Sequence, residues 1–230
     1  MPQRRKQGIS LIEVMIVVVI IGVMGAVAAP SMRFMRTDQA LRSTARSVAD
    51  TFMLARSQAI KTGNNVIVVF QGASGTATPV GLQTTNIMDI IDDGVAASAD
   101  CAITGDSEVV WSNVPSDDNL SWGTTPTLSG TTPVPFDTGL APSNSSQGST
   151  FTNATVTSVT VNSNAFASWV VFQPDGIPRL MTPGDCANLG TAGQGGGAIY
   201  LTNGRRDYAV VLSPMGTTRV HLWNGTEWNQ

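Results

Sequence analysis

Histidine is almost missing from this chain: His221 stands alone among 230 residues. Any Ser-His-Asp or Cys-His engine would have to use it. It lies in an alternating apolar and polar stretch, Thr218 to Trp223, and no G-x-S-x-G accompanies it. A partly exposed strand histidine is expected. Cysteine is nearly as scarce, with Cys101 and Cys186 and no C-x-x-C pair, which removes catalytic thiol exchange. Basic residues are thin beyond Gly63: Arg179, Arg205, Arg206 and Arg219 stand against 13 acidic residues. Phosphate binding needs clustered Lys or Arg, so this balance argues against a large nucleic-acid footprint. Gly193-Gln194-Gly195-Gly196-Gly197 precedes a strand and no Lys-Ser/Thr follows it, so it reads as a flexible loop and not as a phosphate cradle. Asp89, Asp92 and Asp93 lack the spacing of an EF-hand loop and read as solvated carboxylates. No metal, no cofactor and no catalytic constellation is expected.

What the chain does have is one long apolar run. From Ile9 to Ala29 there are 21 residues, and only Ser10 and Glu13 are neither apolar nor glycine. As a helix this run is about 30 Å long, enough to cross a bilayer core. Arg4, Arg5 and Lys6 lie before it, so the positive-inside bias places the leader in the cytoplasm and the rest across the membrane. Glu13 sits four residues into the run. A carboxylate inside a membrane helix costs on the order of 2–3 kcal/mol, less near an interface. It is either a chance acid at the membrane surface or a group that meets a positive partner when subunits assemble. Ala26-Val27-Ala28 also fits an A-x-A site for ordinary signal peptidase. Against that cut stand the length of the run and the acid that interrupts it.

Beyond the run, Pro30 should kink or locally unwind the helix. Phe34, Leu41, Ala45, Val48, Phe52, Ala55 and Ala59 then form an amphipathic stripe, to be packed against a sheet. Thr62-Gly63-Asn64 supplies the stop, and Asn65 to Phe70 reads as a strand. Residues 71–167 are rich in Gly, Ser, Thr, Asn, Pro and Asp and read as irregular loops with short strands such as Val109-Val110-Trp111; 143–149 is the most linker-like piece. The last third carries strand signals at Val156–Val161, Ser168–Phe172, Ala198–Thr202, Tyr208–Leu212 and Thr218–Trp223. Turns lie at Pro174-Asp175-Gly176, Asn203–Arg206 and Ser213–Gly216. In an oxidising compartment the lone cysteine pair implies one disulfide, Cys101 to Cys186, with two buried thiols as the alternative. The stretch from Ser31 to Thr62 is basic, with six basic residues against Asp38 and Asp50, while the part after it is acidic.

The N-terminus resembles the class III signal of type IV pilins and pseudopilins: a basic leader ending in Gly8, then Ile9-Ser10-Leu11-Ile12-Glu13 and an apolar run. The resemblance implies that prepilin peptidase cuts between Gly8 and Ile9 and methylates the amine of Ile9. It also implies that Glu13 neutralises that amine on a neighbouring subunit. Ile9 stands where Phe is more usual. Val171-Phe172-Gln173-Pro174-Asp175-Gly176, the hairpin with Arg205 and Arg206, Gly216 and Arg219 are similar to the end of the GspH/FimT family. Ala55 to Lys61 is similar to the helix of that family. That family comprises the H-type pseudopilins of type II secretion and the minor pilins of type IV pili.

The expectation is therefore an α+β, type IV pilin-like fold. Residues 1–8 form a removable leader, 9–62 an N-terminal helix spanning the inner membrane over 9–29, and 63–230 a periplasmic antiparallel β head. The implied role is a minor type IV pilin in pilus assembly, or alternatively an H-type type II secretion pseudopilin. The implied partners are the assembly platform, the major pilin and other minor pilins. Some members of the family bind DNA through Gly-Arg-x-Arg. Here the matching stretch is Gly216-Thr217-Thr218-Arg219, with one arginine, and the head is acidic, so DNA is disfavoured.

Overall fold

The computed structural model describes residues 10–70, 86–95, 101, 109–115, 120–125, 134, 148–151, 169–182 and 184–229. The chain divides into two units, Met1–Gln39 and Ala40–Gln230. One helix, α1 (Leu11–Thr62), supplies residues to both. It continues across Pro30; the side chains of 26–33, and with them the expected kink, lie outside the described residues. Gly63 ends it with φ of 72°, its N–H donating to the Ala59 carbonyl at 3.0 Å. Glycine adopts that left-handed backbone without the Cβ penalty other residues carry.

Among the described residues ten strands follow: β1 (Asn64–Phe70), β2 (Asn86–Val95), β3 (Val109–Pro115), β4 (Ser121–Trp122), β5 (Trp169–Phe172), β6 (Pro178–Arg179), β7 (Gly197–Thr202), β8 (Asp207–Leu212), β9 (Thr218–Trp223) and β10 (Trp228–Asn229). They make two five-stranded sheets, ordered β3-β2-β1-β5-β6 and β10-β9-β8-β7-β4, with every pairing antiparallel. The architecture is an α+β arrangement of an N-terminal helix packed on antiparallel sheets. The sequence anticipated one sheet; the described residues form two.

Packing explains the layout. Leu41, Ala45, Val48, Phe52, Ala55 and Ala59 are all fully buried, one stripe of α1 set into the main core. Phe52 lies at its centre, with ring centroids 6.4 Å from Phe70, 6.0 Å from Phe151 and 6.5 Å from Phe172. β1 sits between β2 and β5, and Val66 to Phe70 are all buried. A strand covered on both faces reads as a continuous apolar run, which is why Val66-Ile67-Val68-Val69-Phe70 does not alternate. β8 divides its side chains instead. Tyr208, Val210 and Leu212 join the main core, while Ala209 and Val211 join a second cluster with Ala198, Tyr200, Val134 and Trp228.

Arg56 bonds the helix to a turn of the second sheet and lies beside a turn of the first. Its Nη1 donates to the Gly216 carbonyl at 3.1 Å, in the turn between β8 and β9. A Cβ on Gly176, in the turn between β5 and β6, would stand 2.7 Å from Ile60 Cδ1 and 3.2 Å from Arg56 Nε. One on Gly216 would stand 2.9 Å from the Gly176 carbonyl oxygen. Both glycines have positive φ, 72° and 81°. The helix segment and the two turns that carry the family resemblance thus meet at one point.

Several expectations need correction. Phe34 is 49% exposed, so the buried stripe begins at Leu41. Residues 86–95 form a ten-residue strand, paired with β1 and β3, where irregular loops with short strands were expected. Two of its aspartates, Asp89 and Asp93, are buried, and the half-buried Asp92 accepts from Asn64 Nδ2 at 2.9 Å and from the Gly94 N–H at 3.1 Å. The glycine run is closely packed: a Cβ would fall 2.1 Å from the Pro178 carbonyl oxygen at Gly195 and 2.8 Å from Phe151 at Gly197. The expected strand at Val156–Val161 and most of the linker-like 143–149 lie outside the described residues.

Candidate functional site

Gly8 and Ile9 lie outside the described residues. Ser10 is the first described, and its carbonyl accepts the N–H groups of Glu13 at 3.0 Å and Val14 at 3.3 Å, the first bonds of α1. Ser10 therefore stands at the cap position and Glu13 three residues on, the spacing of a capping box. Glu13 is in the first turn and exposed. The unpaired N–H groups and dipole of a helix start favour an anion there by about 0.3–1 kcal/mol. This local role was not anticipated, although Ser10-Leu11-Ile12-Glu13 displays its pattern. A cut before Ile9 would set a new amine two residues before Leu11, beside the same turn.

After Glu13 the helix is apolar and exposed. Met15, Val18, Ile21 and Met24 are each more than 60% accessible, as is Leu11 just before Glu13. Among the described residues, no helix is long and apolar enough to cross a membrane. The described side chains of the run stop at Gly25, 15 residues from Leu11. That is about 22 Å of helix where a crossing needs about 20 residues. The expected span over 9–29 extends past them at both ends.

Cys101 and Cys186 are joined by a disulfide with a Cα–Cα distance of 5.2 Å. The Asp93 carboxylate accepts the Cys101 N–H at 3.1 Å, and the Cys101 carbonyl accepts the Gly184 N–H at 2.8 Å. Asp93 and the two sulfurs lie within 4.8 Å of one another, a grouping that could suit a metal. Both sulfurs are spent in the disulfide, so neither can become the thiolate a metal would need.

His221 is in strand β9, as expected, but it is buried, not partly exposed. Neither ring nitrogen has a hydrogen-bond partner among the described residues. Burial lowers its pKa from the usual 6.5, and the nearby Arg219 charge adds to the shift. Arg219 is exposed on the same strand, and Gly216 is engaged by Arg56, so the Gly216-to-Arg219 stretch is first a structural turn.

Residues 3–29 match the family model described as the prokaryotic N-terminal methylation motif. No curated protein matches the chain. No solved structure matches it either.

Proposed function

We propose, from the premise that the N-terminal methylation motif makes this chain a type IV pilin-like prepilin, that it is a minor type IV pilin of the GspH/FimT kind. In this reading prepilin peptidase removes residues 1–8 and methylates Ile9. The run 9–29 anchors the chain in the inner membrane, with residues 63–230 on the periplasmic side. The assembly platform then draws it into a filament with the major pilin and other minor pilins. The observation that carries the reading is the exposed apolar first part of α1 headed by Glu13. An exposed apolar run of this length is favourable only when covered, and in this reading lipid and other subunits cover it.

The Glu13 carboxylate would meet the Ile9 amine of an incoming subunit. Both groups are costly to leave unpaired in lipid. Glu13→Gln should leave insertion and cleavage intact and reduce crosslinking to partner subunits; wild-type crosslinking would remove Glu13 from assembly. The choice between pilus and secretion rests on a deletion strain. Loss of surface filaments with normal protein secretion supports the minor pilin. The reverse pattern makes the chain an H-type pseudopilin of type II secretion.

A further inference from the structure

We infer that the head carries a binding site for an acidic sugar, in the concavity between the β7–β8 turn and the β9–β10 turn. The concavity has a volume of about 810 Å³, and Arg205, Arg206, Leu222, Trp223, Asn224 and Gly225 are among its lining residues. That is the size range of small-ligand sites, about 300–1,000 Å³. None of these residues belongs to α1 or to the disulfide, and no role assigned so far uses the concavity.

The chemistry converges on a ring that bears a carboxylate. Arg205 and Arg206 are consecutive lining residues, and each carries a guanidinium, a planar donor fork of the kind that matches a carboxylate in bidentate fashion. The Trp223 indole offers a flat apolar surface for the C–H face of a pyranose. Its ring is held in place by Trp228, centroid to centroid 5.3 Å, and Trp228 is itself held by Tyr200 at 5.8 Å. Both turns are braced from within. The Asn203 carboxamide oxygen accepts the N–H groups of Arg205 and Arg206 at 3.0 and 2.9 Å. Asn224 does the same for Thr226 and Glu227, both at 2.8 Å. A braced site loses less freedom on binding.

Charge separates this ligand from nucleic acid. Arg205 and Arg206 are two of four basic residues after Thr62, against 13 acidic ones. The acidic balance of the head disfavours a long polyanion that needs many cations, whereas one acidic sugar asks only for the two arginines. The site belongs to the head alone, so its failure would leave the pilin assignment untouched.

The test is titration calorimetry on the full chain in a zwitterionic detergent, which avoids sugar headgroups. The probes are trigalacturonate, neutral galactotriose and a thymidine dodecamer. Trigalacturonate should bind about tenfold or more tighter than galactotriose, and the R205A/R206A protein should lose about tenfold or more of that affinity. Trp223→Leu should weaken both sugars together. Thermal midpoints of the variants are checked against the wild type, and Arg205 and Arg206 are exposed turn residues whose removal leaves the core intact. No trigalacturonate binding, or binding that R205A/R206A leaves unchanged, would overturn the inference. Tighter binding of the dodecamer than of trigalacturonate would overturn it in favour of nucleic acid.

Discussion

The two ends of α1 are built from similar residues and meet opposite fates. From Leu11 to Met24 the apolar side chains are exposed, Leu11 at 78% and Met24 at 68%. From Leu41 to Ala59 the apolar stripe is buried to the last residue. The difference lies in pattern. The later segment places apolar residues on one stripe, with Arg42, Arg46, Asp50 and Lys61 among the rest, so one face satisfies it. The earlier segment is apolar all round, and such a helix is stable only when enclosed on every side. No single sheet can do that. In the proposed reading, a helix with both designs in series packs on its own head over its later part and leaves its earlier part for an assembly or a membrane.

The largest expected effect falls on the head. Cys101→Ser with Cys186→Ser opens a loop of sequence separation 85. The chain-entropy model assigns such a loop about 4–5 kcal/mol, so the midpoint of urea unfolding should drop sharply. An unchanged midpoint would mean that the disulfide does not constrain the unfolded chain.

Next comes a direct contrast between the two ends of the helix. Phe52→Ala should cost about 3–5 kcal/mol, because it removes a ring that contacts three others in the core. Ile16→Ala should leave the same unfolding transition in place, within about 0.5 kcal/mol. A comparable loss from Ile16→Ala would show that the early segment also packs on the head and would dissolve the distinction.

How far these features could be read beforehand depended on how local their cause was. The stripe from Leu41, the Gly63 stop, β1 and the Asn203–Arg206 hairpin follow from periodicity and turn chemistry within a few residues. The disulfide followed from there being one possible pair. β2 was missed because Asp89, Asp92 and Asp93 are poor strand formers, and their hydrogen bonds come from elsewhere, Asn64 for Asp92 and Cys101 for Asp93. Gly195 to Gly197 looked loose because sequence does not show Pro178 and Phe151 pressing against them. Alternation placed His221 on a strand face but could not tell that the face was covered.

A smaller effect concerns that histidine. Its folded pKa lies below the usual 6.5 through burial, with Arg219 pushing the same way. The unfolded chain therefore takes up a proton first as pH falls. Stability is full above about pH 6.5 and declines below it, by at most about 1.4 kcal/mol per pH unit, until the folded histidine also titrates. Urea midpoints at pH 7.5 and 5.5 should differ in the wild type, and His221→Phe should shrink the difference. An equal difference in the variant would assign the pH dependence to other groups.

The central claim is that the early, exposed end of α1 is the mature N-terminus of an assembling subunit. Intact-mass measurement of the protein extracted from membranes tests it most directly. The account predicts residues 9–230 with the disulfide formed and one added methyl group on Ile9. A chain starting at Ala29, cut after Ala26-Val27-Ala28 and found in the soluble fraction, would contradict it.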